Sequence, residues 1–129
     1  MTIIVRDDGF HAEDWNGDFD GPAAQDLPSD TAPENLAFDD DTGLIRIDFP
    51  SFADGRGFTL ARLLRLRGYT GRLRARGHVI ADQYAMARRA GFDEVEIDEA
   101  LAERQPEDQW VFRADWQSHD YQARMRGTA

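Results

Sequence analysis

From Gly43 to Asp98 the chain switches twice between a two-residue apolar period and a helical one, and that order leaves few folds open. Leu44-Ile45-Arg46-Ile47-Asp48-Phe49 alternates as a half-buried strand does. Residues 58–67 read as a helix, with Leu60, Leu63 and Leu64 on one face, Arg62 and Arg65 on the other, and Gly68 to end it. Arg72-Leu73-Arg74-Ala75-Arg76 alternates again and closes at Gly77. A second helix is expected over 79–90, stopped by Gly91, and residues 92–98 supply a third strand.

Each strand-to-strand connection contains a helix and runs to about twenty residues, so it is a crossover between parallel strands and not a hairpin. Right-handed crossovers advancing in one direction put both helices on one face of the sheet. That face is the apolar one: Ile45, Ile47, Phe49, Leu73, Ala75, Val95 and Ile97. The other face is then ionic. It carries Arg46 and Asp48, then Arg72, Arg74 and Arg76, then Glu94, Glu96 and Asp98. With the strands ordered as they occur, an arginine row lies between acidic neighbours, and each cross-strand ion pair contributes roughly 0.2–1 kcal/mol. Parallel sheets covered on both faces read as continuous apolar runs, and this one does not. It resembles a piece of barrel wall whose polar side either faces solvent as an ion-paired surface or receives a ligand or another protein.

The flanks are less ordered in pattern. Thr2-Ile3-Ile4-Val5-Arg6, the turn signal Asp7-Asp8-Gly9 and residues 10–15 read as a hairpin arm. Residues 16–42 carry Pro22, Pro28, Pro33 and the Asp39-Asp40-Asp41 run, and read as an acidic loop or linker. After Asp98, a short helix is expected over 98–103, Trp110-Val111-Phe112 is placed against the core, and 117–126 is polar and helical or frayed. Trp15, Trp110 and Trp116 read as core-edge packing. The expected fold class is therefore α/β: a βαβαβ parallel three-stranded core resembling a partial (βα) barrel, with an N-terminal β-hairpin arm and an acidic linker. The 129 residues form one domain, divided as 1–15, 16–42, 43–98 and 99–129.

Composition excludes several chemistries. There is no cysteine, so thiolate nucleophiles, disulfides and cysteine-ligated clusters are out. All fifteen basic residues are arginine, which removes Schiff bases and P-loop lysines. The net charge of −10 is uneven: −12 over residues 1–54, +8 over 55–92 and −6 over 93–129. Acidic flanks of that size repel phosphate backbones, so nucleic acid is not an expected partner. No apolar run approaches the ~20 residues of a membrane span, and the start lacks a secretory leader pattern. The expected location is the cytoplasm.

Two strand-to-helix junctions carry the candidate site. Asp54-Gly55-Arg56-Gly57 follows the first strand, where open α/β sheets bind ligands. Glycines let the backbone approach an anion and an arginine adds a bidentate fork, so the loop suits phosphate, sulfate or carboxylate. The alternative is that Asp54 caps the turn while Arg56 pairs with an acid. Gly77-His78 with Asp82-Gln83 occupies the equivalent place after the second strand. His78 and Asp82 are a candidate acid/base pair, with Asp54, Gly55, Arg56, Gly57, Arg74 and Gln83 as anion- or ligand-binding residues. No third and fourth metal ligand accompany His78 and Asp82, so no metal is expected. His11 and His119 stand isolated. Neither a Walker A loop nor a GxGxxG is present.

One set of phrases resembles a known family. Phe49-Pro50, Phe52, Asp54-Gly55-Arg56-Gly57-Phe58, Ala61-Arg62-Leu63-Leu64-Arg65, Gly71, Leu73-Arg74-Ala75, Gly77, Val79, Asp82-Gln83 and Gly91-Phe92-Asp93 match its pattern, with Asp14-Trp15 and Tyr121-Gln122 as outliers. The chain resembles the bacterial domain-of-unknown-function 934 family, which carries the label "probable oxidoreductase involved in sulfite reduction" because its gene neighbours those of sulfate assimilation. Ala90 stands where family members usually carry a cysteine, and the stretch between Trp15 and Leu44 is shorter than usual and expected to lack one strand. The resemblance implies an accessory protein of assimilatory sulfate and sulfite reduction, a partner of sulfite reductase or of its electron donor. The sequence shows no signature for flavin, haem, nicotinamide or an iron–sulfur cluster, so no cofactor is expected. The alternative is a small oxyanion-binding enzyme or oxidoreductase subunit with its site at the carboxyl ends of the parallel strands. A third reading is a structural domain in which these residues cap, turn and pair.

Overall fold

The computed structural model describes residues 2–15, 20–21 and 23–114. The expectations for Trp116, His119, residues 117–126 and Tyr121-Gln122, and most of those for 16–22, lie outside them.

In chain order the elements are β1 (Thr2–Arg6), β2 (Gly9–Ala12), β3 (Asp20–Gly21), β4 (Ala24–Leu27), β5 (Leu44–Phe49), α1 (Arg56–Leu66), β6 (Arg72–Gly77), α2 (Tyr84–Ala90), β7 (Glu94–Asp98), α3 (Glu99–Arg104) and α4 (Glu107–Phe112). Short 3-10 turns at Pro33–Asn35 and Ala81–Gln83 precede β5 and α2. The strands form one open sheet in the order β2-β1-β7-β6-β5-β4-β3. As the spacing requires, β5, β6 and β7 are parallel and adjacent, with Ile45 opposite Leu73 and Ala75 opposite Val95. The arm joins this sheet directly, because β1 runs antiparallel to β7.

Both crossover helices cover the apolar face. Leu60, Ala61 and Leu64 of α1 and Tyr84, Ala87 and Ala90 of α2 pack with Ile45, Ile47, Phe49, Leu73, Ala75, Val95 and Ile97 in one buried cluster. Truncating one such leucine to alanine costs about 2–5 kcal/mol. α2 ends at Gly91, whose φ of 121° no side-chain-bearing residue adopts cheaply. Trp110 completes the core from α4, its indole N–H donating to the Gln105 carbonyl at 2.9 Å and its ring meeting Tyr84 edge-on. Val111 and Phe112, by contrast, remain exposed. Glu107 at the start of α4 accepts the Phe10 N–H at 2.7 Å, which occupies a donor on the outer strand β2 and blunts that sheet edge.

Three expectations need correction. The acidic stretch 16–42 is not all loop, since β4 pairs in parallel with β5 from Ala24 opposite Leu44 to Leu27 opposite Ile47. Its stability comes from the backbone ladder with a buried neighbour, and its own side chains (only Ala24 fully buried) carry too little apolar signal to announce a strand. The sheet is also not a fragment of barrel wall, because it lies open with hairpins at both edges. Finally, the ionic face is not uncovered. Arg74 is 0% exposed, Glu94 2% and Glu96 3%. Arg74 donates from Nε to Glu94 at 2.5 Å and from Nη1 to Glu96 at 2.9 Å. Glu13 and Asp14, which follow β2, lie across it and supply the remaining carboxylates. The arginine row does sit between acidic neighbours, but it is buried by the chain's own N-terminal strap.

Candidate functional site

The carboxyl ends of β5, β6 and β7 are level in the sheet, Asp48 opposite Arg76 and Arg76 opposite Glu96. Here β6 must turn sharply. Gly77 has a φ of 111°, and a Cβ on it would stand 2.8 Å from the Phe49 carbonyl oxygen, so glycine alone fits. The turn brings His78 back onto Phe49: its backbone N–H donates to the Phe49 oxygen at 3.0 Å, and its Nδ1 lies 3.1 Å from the same atom. A carbonyl only accepts, so Nδ1 carries the proton of the neutral ring and Nε2 is left as an acceptor. The edge of Phe52 holds the imidazole from the side, ring centres 5.0 Å apart.

Beside these turns opens a cavity of about 320 Å³ lined by Asp48, Phe52, Arg76, His78, Glu96, Asp98 and Arg104, among others. That is the lower end of the range for small-molecule sites. Arg76 meets Glu96 through Nε at 3.3 Å and is half exposed. Glu96 is shared with Arg46 at 3.1 Å and Arg74 at 2.9 Å, guanidiniums that also bind Asp26, Glu94 and Glu13, so the cations the cavity itself presents are Arg76 and Arg104. Arg104 comes from α3, which starts where Asp98 accepts the Leu101 N–H at 2.8 Å. Neither the Arg104 nor the Asp48 side chain has a hydrogen bond or ion pair among the described residues. The arrangement can therefore offer donors to an anion from two sides and an acceptor from His78.

The residues singled out in sequence divide among several places. His78 lines the cavity. Gln83 supports it from behind, accepting the Ile80 N–H at 3.0 Å and donating to the Phe52 carbonyl at 3.1 Å. Asp82 faces away and pairs with Arg113 at 2.7 Å, so it does not orient His78. Asp54 and Arg56 form a local clasp: Arg56 donates from its backbone N–H, Nε and Nη2 to the Asp54 carboxylate at 3.1, 3.0 and 2.7 Å, and Ser29 adds a further donor at 3.0 Å. Those Arg56 bonds hold the Asp54 carboxyl well below the usual carboxylate range. Gly55 precedes the first turn of α1, and Gly57 leaves room for the Phe49 ring. Arg74 lies under the N-terminal strap. The structure thus brings His78 and Gln83 to one site and keeps Asp54, Arg56, Arg74 and Asp82 out of it.

Asp48, Arg76, Asp98 and Arg104 were not among the sequence candidates. Asp48 and Arg76 had a usable signal, as the last ionic residues of their strands. Arg104 had none, because its place depends on how α3 packs against β7.

A family model described as "Bacterial protein of unknown function (DUF934)" matches residues 25–129. The chain belongs to this family. No curated protein and no solved structure matches it. The DUF934 match takes in β5 to β7, both crossover helices and every residue of the strand-end cavity named above, while the hairpin arm and the Glu13-Asp14 strap precede it. No helix among the described residues is long and apolar enough to cross a membrane.

Proposed function

We propose that this DUF934 chain is an accessory protein of sulfite reduction that binds a small sulfur oxyanion at the carboxyl ends of its parallel strands. The observation that carries the reading is the convergence of Arg76, Arg104 and His78 on one cavity, with the Arg104 side chain lacking any partner among the described residues. Guanidinium forks match the planar oxygen pairs of such anions and keep their charge at any physiological pH. The sulfur assignment comes from the label that the resembled family carries. The sheet position agrees with where open α/β sheets hold their ligands.

Docking to sulfite reductase through an open ionic sheet face is the less favoured route to the same pathway. Glu13 and Asp14 already occupy that face, and Arg74 beneath them is sealed from solvent.

Calorimetric titration of the full chain with sulfite, sulfate and phosphate tests the proposal. The expected result is saturable binding of at least one anion that weakens about tenfold in Arg104→Ala, the value of one charge-assisted hydrogen bond. A folded protein that takes up none of the three at millimolar concentration overturns it.

A further inference from the structure

We infer that the strand-end cavity selects an oxyanion that still carries an O–H over a fully deprotonated one, and that Asp48 makes the choice; the inference rests on the oxyanion reading above. The cavity wall mixes donors with acceptors. Arg76 and Arg104 can only donate. The Asp48 carboxylate can only accept, lines the same cavity, and has no hydrogen bond or ion pair among the described residues. Nε2 of His78 is a second acceptor, because Nδ1 is committed to the Phe49 carbonyl.

The other acids on or near this wall have partners, Asp98 through one oxygen only. Glu96 on β7 is ringed by Arg46, Arg74 and Arg76. Asp98 gives Oδ1 to the Leu101 N–H. Asp26, on the neighbouring β4, accepts from Arg46 Nη2 at 2.7 Å. Asp48 is the one with neither oxygen partnered among the described residues, beside an anion's seat. An anion with bare oxygens would satisfy the guanidiniums and then set lone pairs against lone pairs at Asp48. An anion with one hydroxyl converts that contact into a short O–H···O⁻ bond, among the stronger hydrogen bonds available. A site that offers an acceptor rejects a ligand lacking the matching hydrogen, because the acceptor is then dehydrated without compensation. Hydrogensulfite and phosphate meet the requirement near neutral pH. Sulfate does not.

The test is titration of the full chain and of Asp48→Asn with phosphate, sulfate and sulfite (the last in oxygen-free buffer) at about pH 6 and about pH 8. Sulfate gains no proton over this range, so it reports any change in the protein's own charge. The wild type should prefer phosphate to sulfate by about tenfold, and its preference for sulfite over sulfate should shrink at the higher pH as sulfite loses its proton. Asp48→Asn should bring sulfate to within about twofold of phosphate, since the amide supplies a donor where the carboxylate repelled. Wild-type protein that binds sulfate as tightly as phosphate overturns the inference, as does an Asp48→Asn variant with an unchanged ratio. Should the folded wild type bind none of the three, the oxyanion reading itself fails and this inference goes with it.

Discussion

Glu13 grips Arg74 at two points: Nη1 donates to Glu13 Oε2 at 2.7 Å and Nη2 to Oε1 at 3.0 Å, across 61 positions of the chain. This pair closes a cage in which Glu94 and Glu96 hold the other side of the guanidinium. Geometry of this kind offsets the desolvation of a buried charge only while every partner is present. Glu13→Gln removes one of four carboxylates around Arg74 and should cost about 1–2 kcal/mol. Glu94→Gln leaves Arg74 without its closest partner and also strips Arg6 and Arg72 of one, so about 3–5 kcal/mol is expected. Urea denaturation of the two variants decides it, and equal losses would mean that the cage is not the stabilising unit.

Asp14 sets a pH dependence. Burial pushes its carboxyl up, but hydrogen bonds from Arg6 at 2.7 Å and Arg72 at 2.9 Å, with their charges, prevail and hold its pKa at about 2 against the ordinary 3.8. A carboxyl depressed on folding stabilises the native state fully above its unfolded pKa and loses that contribution as pH falls through the folded one. The stability gap between wild type and Asp14→Asn should therefore be open at about pH 5 and closed near pH 2. Denaturation curves showing the same gap at both ends would contradict this.

Gly77→Ala should be costly out of proportion to its size. The added methyl meets the Phe49 carbonyl oxygen at 2.8 Å and the residue must hold a φ of 111°. A loss of about 2 kcal/mol follows from strain of this order. Because the same turn seats His78 on Phe49, sulfite affinity should fall with it. Unaltered thermal stability would show that the turn tolerates a side chain.

Arg56 and Arg104 separate clasp from site. Arg56→Ala breaks an exposed pairing with Asp54 and should leave anion affinity within about twofold, whereas Arg104→Ala should lower it about tenfold. Titration of both variants side by side checks the assignment, and the reverse ranking would return the site to the loop before α1.

Much of the frame was legible without coordinates. The two crossovers follow from the lengths between alternating stretches, and the shared helix face follows from their handedness, so Ile45, Leu73 and Val95 were placed in the core correctly. Gly68 and Gly91 marked helix ends because their backbone freedom is a local property. The strand β4 was missed because it is held by its ladder with β5 and not by an apolar pattern of its own. Of the candidate cavity, only part was legible. His78 and Gln83 follow a strand end, which sequence order reveals, but Asp54 and Asp82 looked like site residues only until their arginine partners were in view.

Local chemistry alone thus dictated which residues alternate, where helices stop, which face is apolar and that the other is ionic, since each depends on near neighbours in the chain. Only the tertiary structure decided what covers the ionic face and which charges stay unpaired. Glu13 reaches Arg74 and Arg104 reaches the strand ends through contacts between segments far apart in sequence, and no period or spacing encodes whether a carboxylate finds its arginine or is left, like Asp48, facing a cavity.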